Sequence, residues 1–155
     1  MIKLSIGILG LVLLILPVTA KEKNQKIYPV SSISPSLMKD AFAVVRCDEH
    51  EFELIDPGKA IERVHRVVTI LNKNGDNYSQ LYLPYDKSMR IKSITGHSYN
   101  ALGLPDDRLK NSAIEDVNYN SAGIIFDDLR LKYARIQPVS YPFTVEYQYE
   151  IEHDG

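Results

Sequence analysis

Residues 143–152 read Phe143-Thr144-Val145-Glu146-Tyr147-Gln148-Tyr149-Glu150-Ile151-Glu152. Apolar and aromatic side chains alternate with polar ones. A strand points successive side chains to opposite faces, so this period of two describes a strand with one buried and one wet face.

The same pattern recurs toward the N-terminus. Ala43 to Ile55 carries Val44, Val45, Phe52, Leu54 and Ile55 around the acidic stretch Asp48-Glu49-His50-Glu51. Asp56-Pro57-Gly58-Lys59 is a turn signal. Ala60 to Leu71 is rich in β-branched residues and reads as a long strand. Asn72 to Asp76 reads as a hairpin loop, because Asn74-Gly75 suits the positive φ of such turns. Ser79 to Leu83 is a short strand closed by Pro84, and Met89 to Tyr99 is another. Asn100-Ala101-Leu102-Gly103 turns the chain, and Pro105 with Asp106-Asp107 extends that turn. In 108–123 the apolar residues Leu109, Ile114, Val117 and Tyr119 are spaced too loosely to choose between strand and loop. Leu129 to Ile136 resumes strand character, and Pro138 and Pro142 bracket a break. Roughly seven or eight strands with regular turn signals define an all-β chain, an antiparallel β-sandwich or a barrel. The final strand, ending Glu152-His153-Asp154-Gly155, reads as an exposed edge open to pairing with another chain. The one short helix expected starts at Ser34-Pro35, with Ser34 as cap and Leu37, Met38 and Ala41 facing inward, and ends by Ala43.

The first residues have a different character. Met1-Ile2-Lys3 is a short basic start, Leu4 to Leu16 is apolar, Pro17 breaks the run, and Val18-Thr19-Ala20 supplies small residues at a cleavage site. This is the layout of a cleavable signal helix over 1–20. The apolar run is shorter than the roughly 20 residues that span a bilayer, and no Cys stands at the cleavage point to carry a lipid. The expected location is the periplasm, the cell surface or the medium, with membrane contact only through the signal. A polar linker over 21–34 leads into one β-sandwich domain over 35–155, of a size that suits a single core.

Charge is near balance at −2 and the basic residues are scattered, which argues against a nucleic-acid partner. The single cysteine, Cys47, excludes an internal disulfide and reads as a small buried hydrophobe rather than a nucleophile. Glu49, Glu51 and Glu53 share one strand face and could converge on a hard cation, whereas His50 points the other way; the wet face of a strand is the preferred reading. Asp106-Asp107 and Asp127-Asp128 lie beside turns, where Asp bonds its own backbone. His65 reads as a cross-strand partner. No phosphate loop, nucleophile elbow or paired-Cys motif is present. No catalytic residue, metal site or cofactor is expected. A ligand surface remains conceivable at Tyr82, Tyr85 and Tyr99, since a tyrosine offers an apolar face and a polar tip to a sugar or peptide.

Five fragments in order resemble a bacterial family. They are Arg63-Val64-His65-Arg66-Val67-Val68-Thr69-Ile70-Leu71-Asn72 leading into Asn74-Gly75; Leu83-Pro84-Tyr85-Asp86; Ile91-Lys92-Ser93-Ile94-Thr95-Gly96; Asn100-Ala101-Leu102-Gly103; and Val145-Glu146-Tyr147-Gln148-Tyr149-Glu150. From about Ala43 to Asp154 the chain is similar to the domain of unknown function that precedes a transglutaminase-like domain in exported bacterial proteins. The resemblance implies a β-sandwich. It also implies that the Cys-His-Asp machinery belongs to the following domain, after the final strand, so Cys47 is given no catalytic role. The expected function is a non-catalytic accessory module whose partner is a downstream or separate transglutaminase-like domain. The alternative is a stand-alone exported protein that binds a carbohydrate or peptide.

Overall fold

The alternating segments form eight antiparallel strands among the described residues, 27–119, 128–137 and 140–155 of this computed structural model. β1 (Ala43–Asp56) and β2 (Lys59–Ile70) make a long hairpin. It turns at Gly58, whose φ of +95° is one that a side chain would resist. β3 (Gln80–Tyr85) follows, then β4 (Met89–Tyr99), β5 (Pro105–Arg108), β6 (Ile114–Asn118), β7 (Arg130–Arg135) and β8 (Phe143–Asp154). Two sheets result, a five-stranded one ordered β1-β2-β8-β4-β5 and a three-stranded one ordered β3-β7-β6. The sandwich expected from the sequence is therefore present. The signal segment 1–20 and residues 21–26 of the linker lie outside the described residues.

The final strand is not an edge. β8 pairs with β2 from Phe143↔Ile70 to Asp154↔Lys59, and with β4 from Tyr99↔Thr144 to Met89↔His153. Alternation reports which side chains share a face and says nothing of what lies beside the backbone. Nor is the even-numbered face wholly wet: Thr144, Glu146 and Glu152 are buried. The odd-numbered face meets the small sheet. Phe143, Val145 and Tyr147 pack there with Val68 and Ile70 from β2, Leu81 and Leu83 from β3, and Ala134 and Ile136 at β7. Each Val, Leu, Ile or Phe side chain among them, fully buried, contributes roughly 1.5–3 kcal/mol. Tyr147 also donates its hydroxyl to the Ser79 carbonyl at 3.0 Å, which satisfies its polar end inside the core.

Three local expectations are corrected. Asn74-Gly75 does not make a hairpin, because β2 and β3 belong to different sheets and the chain crosses between them through a 3₁₀ turn (Lys73–Ser79). Asn72 caps that turn by accepting from the Asn74 backbone N–H at 3.0 Å. Gly75 is needed for space: a Cβ there would stand 2.3 Å from the Phe42 carbonyl oxygen. Pro105 to Arg108 is a short strand rather than turn, and the undecided stretch contains β6. The helix spans only Pro35–Met38, and Leu37 is exposed. The Ser34 hydroxyl pairs with that of Ser36 instead of capping. Asp40, at φ +57°, turns the chain away before a second helical turn can form. No helix among the described residues is long and apolar enough to cross a membrane.

Gly75→Ala is expected to destabilise the protein by about 1–3 kcal/mol through overpacking against Phe42. A hairpin-type Gly75→Asn, which positive-φ chemistry would tolerate, should do no better. Urea unfolding of both variants checks this, and an Asn variant as stable as the parent would contradict the packing account.

Candidate functional site

The outer face of the large sheet carries a polar cluster, and a bulge creates it. Up to Val45, paired with Val68, the odd residues of β1 face the core side. The register then shifts, and Cys47 pairs with Val67. Arg46 is the extra residue, and one extra residue exchanges the faces of everything after it. Cys47, Glu49, Glu51 and Glu53 consequently share the outer face with Arg63 and His65 of β2 and with Glu146, Gln148 and Glu150 of β8.

His65 is the hub. Its Nδ1 lies 3.6 Å from Cys47 Sγ and 3.5 Å from Glu49 Oε2, and its Nε2 lies 2.7 Å from Glu146 Oε1. Glu146 is buried at 5% exposure. Burial pushes its carboxyl up, but hydrogen bonds from Tyr99, His65 and Tyr28 outweigh this and hold it below the usual carboxylate range. Tyr28 donates to Oε1 at 3.2 Å and Tyr99 donates to Oε2. The ionised Glu146 accepts from the His65 Nε2–H, which leaves Nδ1 facing Cys47 and Glu49. Both tyrosine hydroxyls are pushed far up, first by burial and then by the Glu146 charge and hydrogen bond.

The described part of the linker completes the site. Tyr28 packs edge-on against Tyr99 with ring centroids 5.2 Å apart. Val30 donates its backbone N–H to the Ala101 carbonyl, and Arg46 donates to the Pro29 carbonyl and the Ser32 hydroxyl. Gly103, at φ +79°, leaves room for this arm: a Cβ would meet Pro29 N at 2.5 Å. Beside the cluster opens a cleft of about 380 Å³ lined by Glu49, Glu51, Arg63, His65, Gln148 and Glu150, among others.

The sequence-stated candidates are dispersed. Tyr99 is buried under Tyr28, whereas Tyr82 and Tyr85 belong to β3 in the other sheet. Tyr82 is exposed and packs against Tyr133 with ring centroids 5.1 Å apart and the rings tilted by 42°, beside an apolar depression with Pro84, Tyr119, Leu129 and Leu131. Tyr85 lies on the opposite face, where its hydroxyl donates to Asp116 and accepts from Arg130 Nε. The acidic strand face is occupied in part by Arg63, 2.8 Å from Glu53 and 3.9 Å from Glu51. His50 points to the other face, beside Glu62. The Asp107 backbone N–H donates to the Ser98 hydroxyl and its carboxylate accepts from the Arg108 backbone N–H, Asp128 pairs with Lys87, and Asp127 lies outside the described residues. Sequence reasoning kept Cys47, His65 and Glu146 apart because their convergence needs a bulge and two long-range strand pairings. The strand resemblance Val64-His65-Arg66 and the polar positions of β8 were the only signals available.

The family model of a domain of unknown function with solved structure, DUF3857, matches residues 56–154. The chain belongs to the DUF3857 family. The matched segment contains His65, Tyr99 and Glu146 but begins after Cys47 and Glu49. The fold is similar to a crystal structure from Parabacteroides distasonis described as a "putative protease", with a TM-score of 0.61 and 13% identity. The match covers 73% of this chain and 23% of that one, so this DUF3857 chain spans about a quarter of that protein's length. At this identity the likeness is one of fold. No curated protein matches the chain.

Glu146→Ala is expected to cost about 1–3 kcal/mol, because the buried Tyr99 hydroxyl loses its acceptor; Glu146→Gln, which keeps one acceptor oxygen, should lose less. Denaturant unfolding of the two variants checks the order. Asp116 provides a pH test. Lys132, Tyr85 and Arg130 hold its carboxyl down at about 2 against an ordinary 3.8. Its contribution is therefore present above pH 3.8 and is lost as the pH falls through about 2. Asp116→Asn should flatten the acid limb of the stability curve in that window and leave an exposed-pair loss of under about 1 kcal/mol at neutral pH.

Proposed function

We propose that this DUF3857 chain is a non-catalytic β-sandwich module of an exported, transglutaminase-like (cysteine protease-like) protein. It would pack against the catalytic domain, in the same or a separate chain, and hold a polypeptide or glycan near it. The observation that carries this reading is the size relation: the shared fold covers 23% of a longer protein described as a "putative protease". A module that occupies a fraction of such a protein leaves the rest of the chain for chemistry. The resemblance in fragment order and the signal layout of residues 1–20 support the exported setting.

The Cys47–His65–Glu146 row has the order of a thiol, an imidazole and an orienting carboxylate, as in activated cysteine nucleophiles. Two features weigh against that use. Glu49 shares the same imidazole nitrogen with the thiol, and a thiolate formed there would face a carboxylate at short range. The thiol also stands outside the neighbouring cleft, whose lining includes Glu49 and His65 but not Cys47.

The apolar depression at Tyr82 and Tyr119 favours a second reading, in which the chain itself binds a sugar or an extended peptide. The purified protein should show no amide hydrolysis or crosslinking on peptide substrates. Turnover that follows the protein through purification and disappears in Cys47→Ala would overturn the non-catalytic reading. Saturable binding to a glycan or peptide array, abolished by Tyr82→Ala, would move the second reading to first place.

A further inference from the structure

We propose that Cys47, Glu49 and His65 form a binding site for a zinc-class divalent cation, with Glu146 as the group that orients His65. The proposal does not depend on the accessory-module reading.

The donor set is one thiolate, one carboxylate and one imidazole, each a ligand of zinc. One donor atom from each residue lies within 4.8 Å of the other two. A tetrahedral zinc, with bonds of about 2.0 Å to nitrogen or oxygen and about 2.3 Å to sulfur, sets its donors roughly 3.3–3.6 Å apart. Nδ1 of His65 stands 3.6 Å from Cys47 Sγ and 3.5 Å from Glu49 Oε2, so two edges of that tetrahedron already have the required length.

The second observation lies on the far side of the imidazole. His65 gives its other nitrogen to the buried carboxylate of Glu146 at 2.7 Å. A metal-bound histidine characteristically donates its remote N–H to a carboxylate, which fixes the tautomer and raises the basicity of the ligating nitrogen. Here the carboxylate is held by Tyr28 and Tyr99, so the ring is set in place before any ion arrives. The charge arithmetic agrees. Glu49 and a Cys47 thiolate at one nitrogen would repel each other, and a dication between them converts that repulsion into two attractions. Cys47 loses its thiol proton to solvent when the metal–sulfur bond forms, with no change of oxidation state. Three protein ligands leave one position for water or another donor, and both Glu49 and His65 line the neighbouring cleft. The ion would staple the edge strand β1 to β2 across the face backed by β8.

The test uses chelator-stripped, reduced protein titrated with cobalt(II) and then zinc(II). One equivalent of cobalt should produce a thiolate-to-cobalt charge-transfer band, which zinc then removes. Zinc should raise the melting temperature of the parent protein. Cys47→Ser should lose the band, and Glu146→Gln should weaken zinc at least about tenfold while the band persists. Glu49→Gln changes an exposed side chain and keeps the fold intact, so it stands in if the cysteine variant fails to fold; it should also weaken zinc. Absence of the band in the parent protein overturns the proposal, as does equal zinc affinity in the parent and Glu49→Gln. An alkylation rate at Cys47 that one equivalent of zinc leaves unchanged overturns it as well.

Discussion

The pairing of Lys59–Ile70 with Phe143–Asp154 joins the first hairpin to the end of the chain, and both sheets depend on it. Bringing Ile70 to Phe143 closes a loop that contains every strand of the small sheet. The entropic cost of closure grows only slowly with loop length. The return is a strand bonded on both sides and buried in the core through Phe143, Val145 and Tyr147. Without β8, the β1–β2 hairpin would have no neighbour and the small sheet no surface to cover, and an isolated hairpin is marginal in water.

The same strand imposes the chemistry of the outer face. β8 inserts Glu146 between β2 and β4, where an unpartnered carboxylate would be costly. Four donors surround it: His65 from β2, Tyr99 from β4, Tyr28 from the N-terminal arm and Gln148 of β8 itself. Each satisfies the anion, and each is fixed by it. The arm therefore docks as part of a hydrogen-bonded network. The imidazole of His65 becomes a rigid group with one nitrogen committed and the other presented to Cys47 and Glu49. A buried polar network of this kind holds a site in place whether the site binds a metal ion, as inferred, or serves only structure.

The two faces of the molecule divide its possible work. The small sheet exposes aromatic and apolar surface at Tyr82 and Tyr119, suited to contact with a polymer or a neighbouring domain. The large sheet exposes a charged cleft beside a preformed donor set. The two surfaces belong to different sheets, so docking on one would not compete with an ion held on the other.

Much of this was legible in the residues themselves. Alternation in 143–152, β-branched density in 60–71 and the Gly58 and Gly103 turns determined an antiparallel all-β chain, sandwich or barrel, because face alternation and positive φ are local properties of the backbone. Local chemistry also separated His50 from the Glu49, Glu51 and Glu53 face. Only the tertiary structure decided that β8 is central, that Gly75 yields space rather than a turn, and that Tyr82, Tyr85 and Tyr99 do not share a surface. It alone brought Cys47, His65 and Glu146 together. That step required a single extra residue at Arg46 to exchange the faces of β1, and strand partners far apart in sequence to place three side chains in one row. Neither the bulge nor the partner choice leaves a mark in residue periodicity.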